Sequence, residues 1–402
     1  MEKQKLNWLN IFKMLSKEKI NEMCNQILNN LRTKEDELKD LNKQITQDTN
    51  HWIEYDYQNV IMYVSKFNNN FDFEEKIKSK RKILIILSHN EPFIMNIVPV
   101  LNALSCGNIT FVKTSKKTIH FFKKIWEGVA YKNLRLIEDN LKFEDIRFKN
   151  HIKNVSSIYF YGSHDVAKRL YPICAEYFKE FHPELEGADS KVFYFNKNIS
   201  ENKIREDVIQ TFEQSFSHIG QICQRIHGVY IDANNHGKYI GILKEEFDKF
   251  INNEGQLNLH IPKGYLMNKK YYLKIKEDIK QSKPKEVLNK NKVPLIIINP
   301  QKQSNLVKNA YFFPLLWVCK VNSINDLIKN LNERKYFLGL NIISDKMTTK
   351  KIINGTNFSR YTLNANHIST IKDKGWGGNY PTGFTGYKKW LENFGNIYNI
   401  LK

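Results

Sequence analysis

The stretch RKILIILSHNEPFIMNIVPVLNALSCGNITFVKTS, Arg81 to Ser115, decides the fold. Its apolar run Ile83 to Leu87, bounded by polar residues, reads as a buried strand. A polar turn and Pro92 follow, and from Phe93 apolar residues recur at helical spacing until Gly107 and Asn108, which suit a helix C-terminus. NITFVKTS is the next strand and KKTIHFFKKIWEGV the next helix. SSIYFYGSHDVAKRLYPICAEYFKEF repeats the cycle: strand, Gly-Ser turn, helix. Such alternation predicts parallel βαβ units with helices on both faces, an α/β fold of Rossmann-like type. Sheets of this kind bind ligands outside the carboxyl ends of their strands.

Before this stretch the chain reads as helical. Leu6, Leu9, Ile11, Phe12, Leu15, Ile20, Met23, Ile27 and Leu31 recur at three-to-four spacing. Met1 to Lys19 reads as an amphipathic helix and not as a secretory leader. After it a second region begins near Lys191. It holds a helix from Ile204 to Phe216, a loop around Cys223, the strand GVYIDA and a charged helix around Lys244 to Phe250. A lysine-rich linker, Lys274 to Lys292, leads to the apolar strand VPLIIINP and to further strand–helix units.

The 402 residues are 41% apolar, enough for two cores. No apolar run approaches the length that spans a bilayer, so a soluble cytoplasmic protein is expected. The five cysteines are scattered, with no CxxC pair and no histidines at metal-ligand spacing. Neither a disulfide framework nor a metal site is expected. The formal charge of +20 should attract polyanions, although the lysines are spread along the chain and most read as solvated surface.

No GxGxxG follows a strand and no GxxxxGK[ST] is present. Four smaller features carry chemistry. Asn90 in HNEPF follows a buried strand, where its amide could donate to a developing oxyanion. Lys113, Ser115 and Lys116 in VKTSKKT sit between a strand end and a helix start, which suits phosphate or ribose hydroxyls. In FYGSHDVAKRL, Gly162 permits close backbone approach, and Ser163 caps a helix whose free N–H groups can face a pyrophosphate. Finally, Glu184 in PELEG and Cys223 in GQIC offer a carboxylate and a thiol, a general base and a nucleophile.

Taken in order, these segments resemble the aldehyde dehydrogenase superfamily from about Arg81 to Tyr387. HNEPF through VKTS is similar to the family's Asn segment, helix and Lys-Pro-Ser-Glu segment. FYGS is similar to its Phe-Thr-Gly-Ser turn, PELEG to its Glu-Leu-Gly-Gly segment, and GQICQRIHGVYI to its Gly-Gln-x-Cys loop. The resemblance implies helices over 1–80, a nucleotide-cofactor domain over 81–190 and a catalytic cysteine domain over 191–372. Residues 373–402 would return to the cofactor domain or to a partner subunit. It further implies Cys223 as nucleophile, Asn90 with the Cys223 N–H as oxyanion donors, and Glu184 as base. Lys113 would meet the adenosine ribose and Ser163 the pyrophosphate, with Ser115, Lys116 and Gly162 as further cofactor-binding candidates.

Several positions depart from the family. Lys116 stands where an acidic residue often grips the ribose 2′-hydroxyl; an ammonium attracts a 2′-phosphate, so NADPH is expected, with NADH the alternative. Glu186 replaces a small residue, and Ala310 in NAYFFP replaces a glutamate. These departures look most like the bioluminescence-type long-chain acyl-CoA reductases. The favoured expectation is therefore NADPH-dependent reduction of an acyl thioester to an aldehyde through a Cys223 acyl-enzyme. Fatty acyl-CoA or acyl-carrier protein would be the partner, with an acyl-activating enzyme and a second copy of the chain as further partners. The alternative is aldehyde oxidation, Glu184 activating water. A third reading, nucleic-acid binding on a degenerate dehydrogenase scaffold, rests on lysines interleaved with aromatics in KKTIHFFKKIW and KKYYLKIKED.

Overall fold

The computed structural model describes residues 15–67, 77–129, 132–138, 142–252, 269–290, 293–365 and 395–397. Three helices come first: α1 (Lys17–Thr33), α2 (Glu35–Thr46) and α3 (Asn50–Phe67). Ser16 caps α1 by accepting the Lys19 amide, and the helix buries Ile20, Met23, Cys24, Ile27, Leu28 and Leu31 as one stripe.

There follow β1 (Ile77–Ser79), β2 (Lys82–Ile86), α4 (Pro92–Ser105), β3 (Ile109–Lys113), α5 (Ile119–Ile125), β4 (Leu134–Leu136), α6 (Ile146–Lys153), β5 (Ser157–Tyr161), α7 (His164–Glu176) and β6 (Glu180–Glu184). β2 to β6 form a parallel sheet ordered β4-β3-β2-β5-β6. The run Ile83–Ile86 is continuous in sequence because both faces are covered. Ile83 and Ile85 pack with α1, α3 and α4, whereas Leu84 and Ile86 pack with α6 and α7.

The second sheet is built from β7 (Asp189–Tyr194), α8 (Glu201–Phe216), β8 (Ile226–Asp232), α9 (Ala233–Ile251), α10 (Lys269–Gln281), β9 (Glu286–Leu288), β10 (Leu295–Ile298), α11 (Asn305–Lys308), β11 (Leu315–Val321), α12 (Ile324–Asn332), β12 (Gly339–Ser344), α13 (Lys346–Gly355) and β13 (Arg360–Leu363). Its order is β13-β12-β7-β8-β11-β10-β9, parallel except for β9. The same alternation divides its residues: Phe193, Val229 and Val318 face one core, and Val192, Tyr230 and Trp317 the other. The short strand β14 (Gly395–Ile397) pairs antiparallel with β1. Apart from these three residues, the segment 373–402 lies outside the described residues, as does most of Met1–Lys19.

The expected two-sheet α/β fold is present. Two local expectations need correcting. The lysine-rich stretch read as a linker begins as helix α10, because Ile275 and Ile279, four apart, are buried against the second core while the lysines face outward. The aromatics of KKTIHFFKKIW do not form a stacking surface: Phe121, Phe122 and Trp126 are buried in the first core.

A buried ion pair ties the second sheet to its helices. Lys191 of β7 is fully buried, and its Nζ lies 2.6 Å from Asp207 Oδ1 on α8 and 3.0 Å from Thr211 Oγ1. The Tyr239 hydroxyl of α9 donates to Asp207 at 2.8 Å. Asp207→Ala strands the ammonium, and a loss of about 3–5 kcal/mol is expected in urea unfolding. A loss below about 1 kcal/mol would mean that Lys191 finds water or another acceptor.

Candidate active site

Every strand of the first sheet ends at one cavity. Its ≈ 670 Å³ are lined by residues 86–91 after β2, 113–116 after β3, Ile137 and Glu138 after β4, 160–163 after β5 and 184–186 after β6. β2 is the point where the strand order reverses, so this is the crevice in which such sheets hold ligands. Gln221, Cys223 and Phe312 of the second region complete the lining. All eight residues picked out from the sequence are here: Asn90, Lys113, Ser115, Lys116, Gly162, Ser163, Glu184 and Cys223.

Cys223 lies in the loop between α8 and β8, and the loop's backbone is unusual. His218, Ile219 and Gly220 are all left-handed, with φ of 49°, 53° and 71°. For a β-branched residue such as Ile219 that conformation is costly, of order 1–3 kcal/mol, and persists only where surroundings impose it. Gly220 is required: a Cβ there would come 2.5 Å from the Phe313 carbonyl oxygen.

The surroundings are visible. His218 is buried between two carboxylates, one in the connection before α3 and one on α3, its Nδ1 2.7 Å from Asp48 Oδ2 and its Nε2 3.6 Å from Asp56 Oδ1. Its ring packs on Trp52 at 4.9 Å. Gln221 Nε2 donates to the Thr46 carbonyl at 2.9 Å, and Asn90 Nδ2 donates to the Gln221 carbonyl at 3.0 Å. Below the loop, the buried Arg225 donates to the carbonyls of Tyr311 and Leu315. The N-terminal helices thus hold the cysteine loop directly.

The thiol itself is half-buried, whereas Cys24, Cys106, Cys174 and Cys319 are buried. Burial pushes the Cys223 thiol well above its ordinary range; Glu91 and Asp189 add to this, Arg360 opposes it and Glu184 adds a further part. The carboxylates of Glu91, Asp189 and Glu184 thus act on the thiol from nearby. Glu91 was read in the sequence only as part of a turn. It lines the cavity beside Asn90, and burial raises it, the charge of His218 opposing and that of Asp48 adding. Neither Glu91 nor the Asp48–His218–Asp56 cluster carries a sequence motif, because their partners are far apart along the chain.

The side of the cavity at the end of β3 carries lysines. Lys113 is half-buried, Lys116 is exposed at the rim, and Ser163 Oγ accepts the Val166 amide as the cap of α7. A cationic rim, a capped helix amino end and apolar walls from Ile137, Phe143 and Val166 fit a nucleotide. Among the described residues no group of three or more His, Cys, Asp or Glu could hold a metal, and no helix is long and apolar enough to cross a membrane.

The chain belongs to the aldehyde dehydrogenase family, whose model matches residues 17–400. It is 22% identical over 332 residues to the dimeric NADP-preferring aldehyde dehydrogenase of Rattus norvegicus, covering 79% of this chain and 71% of that one. With aldehyde dehydrogenase 1 of Entamoeba histolytica it shares 23% over 261 residues, 62% of this chain and 47% of that one. The chain thus spans about half the length of that relative, and 52% of aldehyde dehydrogenase 1A1 of Equus caballus. In three dimensions it is similar to an oxidoreductase from Marinobacter aquaeolei, with TM-score 0.79 and 15% identity over 96% of this chain and 85% of that one. An NADP dependent enzyme of E. coli gives 0.78 and 17% over the same shares.

The His218 cluster has a pH signature. Burial would lower His218, but Asp56 and Asp48, with the Asp48 hydrogen bond and the Glu91 charge, outweigh it and lift the imidazole to about 10. Burial also raises Asp56, against the pull of His218. A raised histidine stabilises the fold fully below its ordinary value of 6.5 and loses that contribution as pH climbs toward 10. The raised Asp56 acts in the same direction. Stability measured by denaturant should therefore fall between about pH 7 and 8.5, with a limiting slope of about 1.4 kcal/mol per pH unit for one proton. Asp48→Asn lowers the imidazole and should make the fall smaller and end it at lower pH. A flat profile for the unaltered protein across that window would contradict the buried charge.

Proposed function

We propose that this chain is an NAD(P)-dependent oxidoreductase working on a carbonyl through Cys223, and that its reaction is the oxidation of an aldehyde to an acid. The observation that carries this is the single cavity in which a half-buried thiol, the Asn90 amide and the Glu184 carboxylate adjoin a cationic nucleotide rim. The relatives described above, named as aldehyde dehydrogenases, support the oxidative direction over thioester reduction.

The proton of the Cys223 thiol passes to the nearby Glu91 carboxylate as the sulfur attacks the aldehyde carbon, which leaves Glu184 ionised for the later step. The carbonyl oxygen takes up the displaced electron pair and becomes an oxyanion. Asn90 Nδ2, which at rest donates to the Gln221 carbonyl 3.0 Å away, is placed to turn to that oxygen together with the Cys223 N–H. A bound nicotinamide supplies the hydride acceptor. Glu184 then removes a proton from water, whose oxygen attacks the acyl carbon and releases the acid and the Cys223 sulfur. Lys113 and Ser115 would hold the adenosine ribose, and Gly162 and Ser163 the diphosphate. Lys116 favours a 2′-phosphate and hence NADP(H).

Reduction of a fatty acyl-CoA or acyl-carrier thioester uses the same sulfur, with a thiol leaving in place of water attacking. It is supported by the net charge of +20 and by Lys116, which suit phosphorylated carriers and NADPH. Glu184 beside the thiol weighs against it, since a base that activates water drains an acyl-enzyme by hydrolysis.

Two assays separate these reactions. The protein is mixed with NADP+ and a series of aldehydes, and in parallel with NADPH and a series of acyl-CoAs, following nicotinamide absorbance. The expected result is NADP+ reduction with aldehydes, abolished in Cys223→Ala. Glu184→Gln should slow turnover by about 10²–10⁴-fold while leaving one rapid turnover per site. NADPH consumption with thioesters and none of the aldehyde reaction would overturn the oxidative reading.

A further inference from the structure

The amino end of α7 is already occupied by the protein's own carboxylate. Glu186 Oε2 accepts the His164 amide, the first of the helix, at 2.5 Å, and Ser163 Oγ accepts the Val166 amide at 3.3 Å. Both Glu186 and Ser163 line the cavity. A helix amino end binds an anion through its unpaired N–H groups and partial positive charge, and one anion already there excludes another. Burial raises the Glu186 carboxyl, the backbone N–H groups of Glu186 and His164 oppose this, Asp165 of α7 repels the charge and Lys335 attracts it, with the phenols of Tyr271 and Tyr336 also near.

We infer that Glu186 is an internal anion standing where the cofactor diphosphate must bind, so that dinucleotide binding is a competition between diphosphate and carboxylate for the amino end of α7. This rests on the reading of the cavity as a dinucleotide site. Glu186 belongs to the connection 185–188, which leaves β6 directly after Glu184 and packs through Gly187 against the Cys223 carbonyl. Displacing the carboxylate therefore disturbs the segment that joins the proposed base to the cysteine loop, and cofactor entry is coupled to the reacting end of the cavity.

The test is equilibrium binding by calorimetry, with no turnover. The full chain, Glu186→Gln and Glu186→Ala are titrated with NADP+ and with adenosine 2′-monophosphate, which has the 2′-phosphate and adenine but no diphosphate. Glu186→Gln keeps size and hydrogen-bonding capacity and removes the charge; Glu186→Ala removes the occupant. Both variants should bind NADP+ about tenfold or more tightly than the unaltered protein, and adenosine 2′-monophosphate equally. Unchanged or weaker NADP+ binding in both variants, with adenosine 2′-monophosphate still bound, overturns the competition and leaves the cofactor site standing. A gain of the same size for both ligands also overturns it, since the effect would then be general and not directed at the diphosphate. Failure of all three forms to bind either ligand overturns the dinucleotide reading and the inference with it.

Discussion

The carbonyl oxygen of Cys223 lies where a side chain on Gly187 would have to be: a Cβ there would sit 2.6 Å from it. Real Cβ atoms do not approach backbone so closely, so the end of β6 and the cysteine loop touch main chain to main chain. This contact brings the carboxylate of the first sheet to the thiol of the second region. The loop is then held from two further directions, by the buried Asp48–His218–Asp56 cluster and by Arg225. With its position over-determined, the left-handed run His218–Gly220 can be sustained.

Charge is distributed along the cavity with a purpose that the overall count hides. The chain is strongly basic, yet the surroundings of the thiol are acidic: Glu91, Asp189 and Glu184 all disfavour its ionisation. Lysines stand at the opposite end, on the loop after β3. The thiolate is the reactive form, so these carboxylates slow the reaction of the sulfur at rest. Ionisation then coincides with attack. Arg360 and the imidazolium of His218 keep these acids from accumulating uncompensated charge.

The sheets were legible in the sequence because their physics is local. Ile83–Leu87 is apolar without a break, and only a strand covered on both faces accounts for that over five residues. Seven of the eight cavity residues were legible for a related reason, since each ends or follows a strand or caps a helix, and strand ends converge in a parallel sheet; Cys223, in the loop before β8, was legible through the resemblance of GQIC to the family's cysteine loop. Long-range electrostatics was not legible. His218 meets Asp48 across 170 residues, and Glu186 meets His164 across 22, and no local pattern announces either. Helix α10 was missed because its lysines outnumber the two isoleucines that anchor it.

The account depends on Cys223 being the one thiol that faces the carbonyl substrate. Its most direct test is peptide mapping of the native protein after brief iodoacetamide treatment, with and without an excess of aldehyde. Cys223 should be alkylated ahead of Cys24, Cys106, Cys174 and Cys319, because it lines the cavity and is half-buried while those four are buried. Aldehyde should protect Cys223 selectively. Labelling that spares Cys223, or that aldehyde leaves unchanged, would contradict the assignment of this sulfur as the nucleophile.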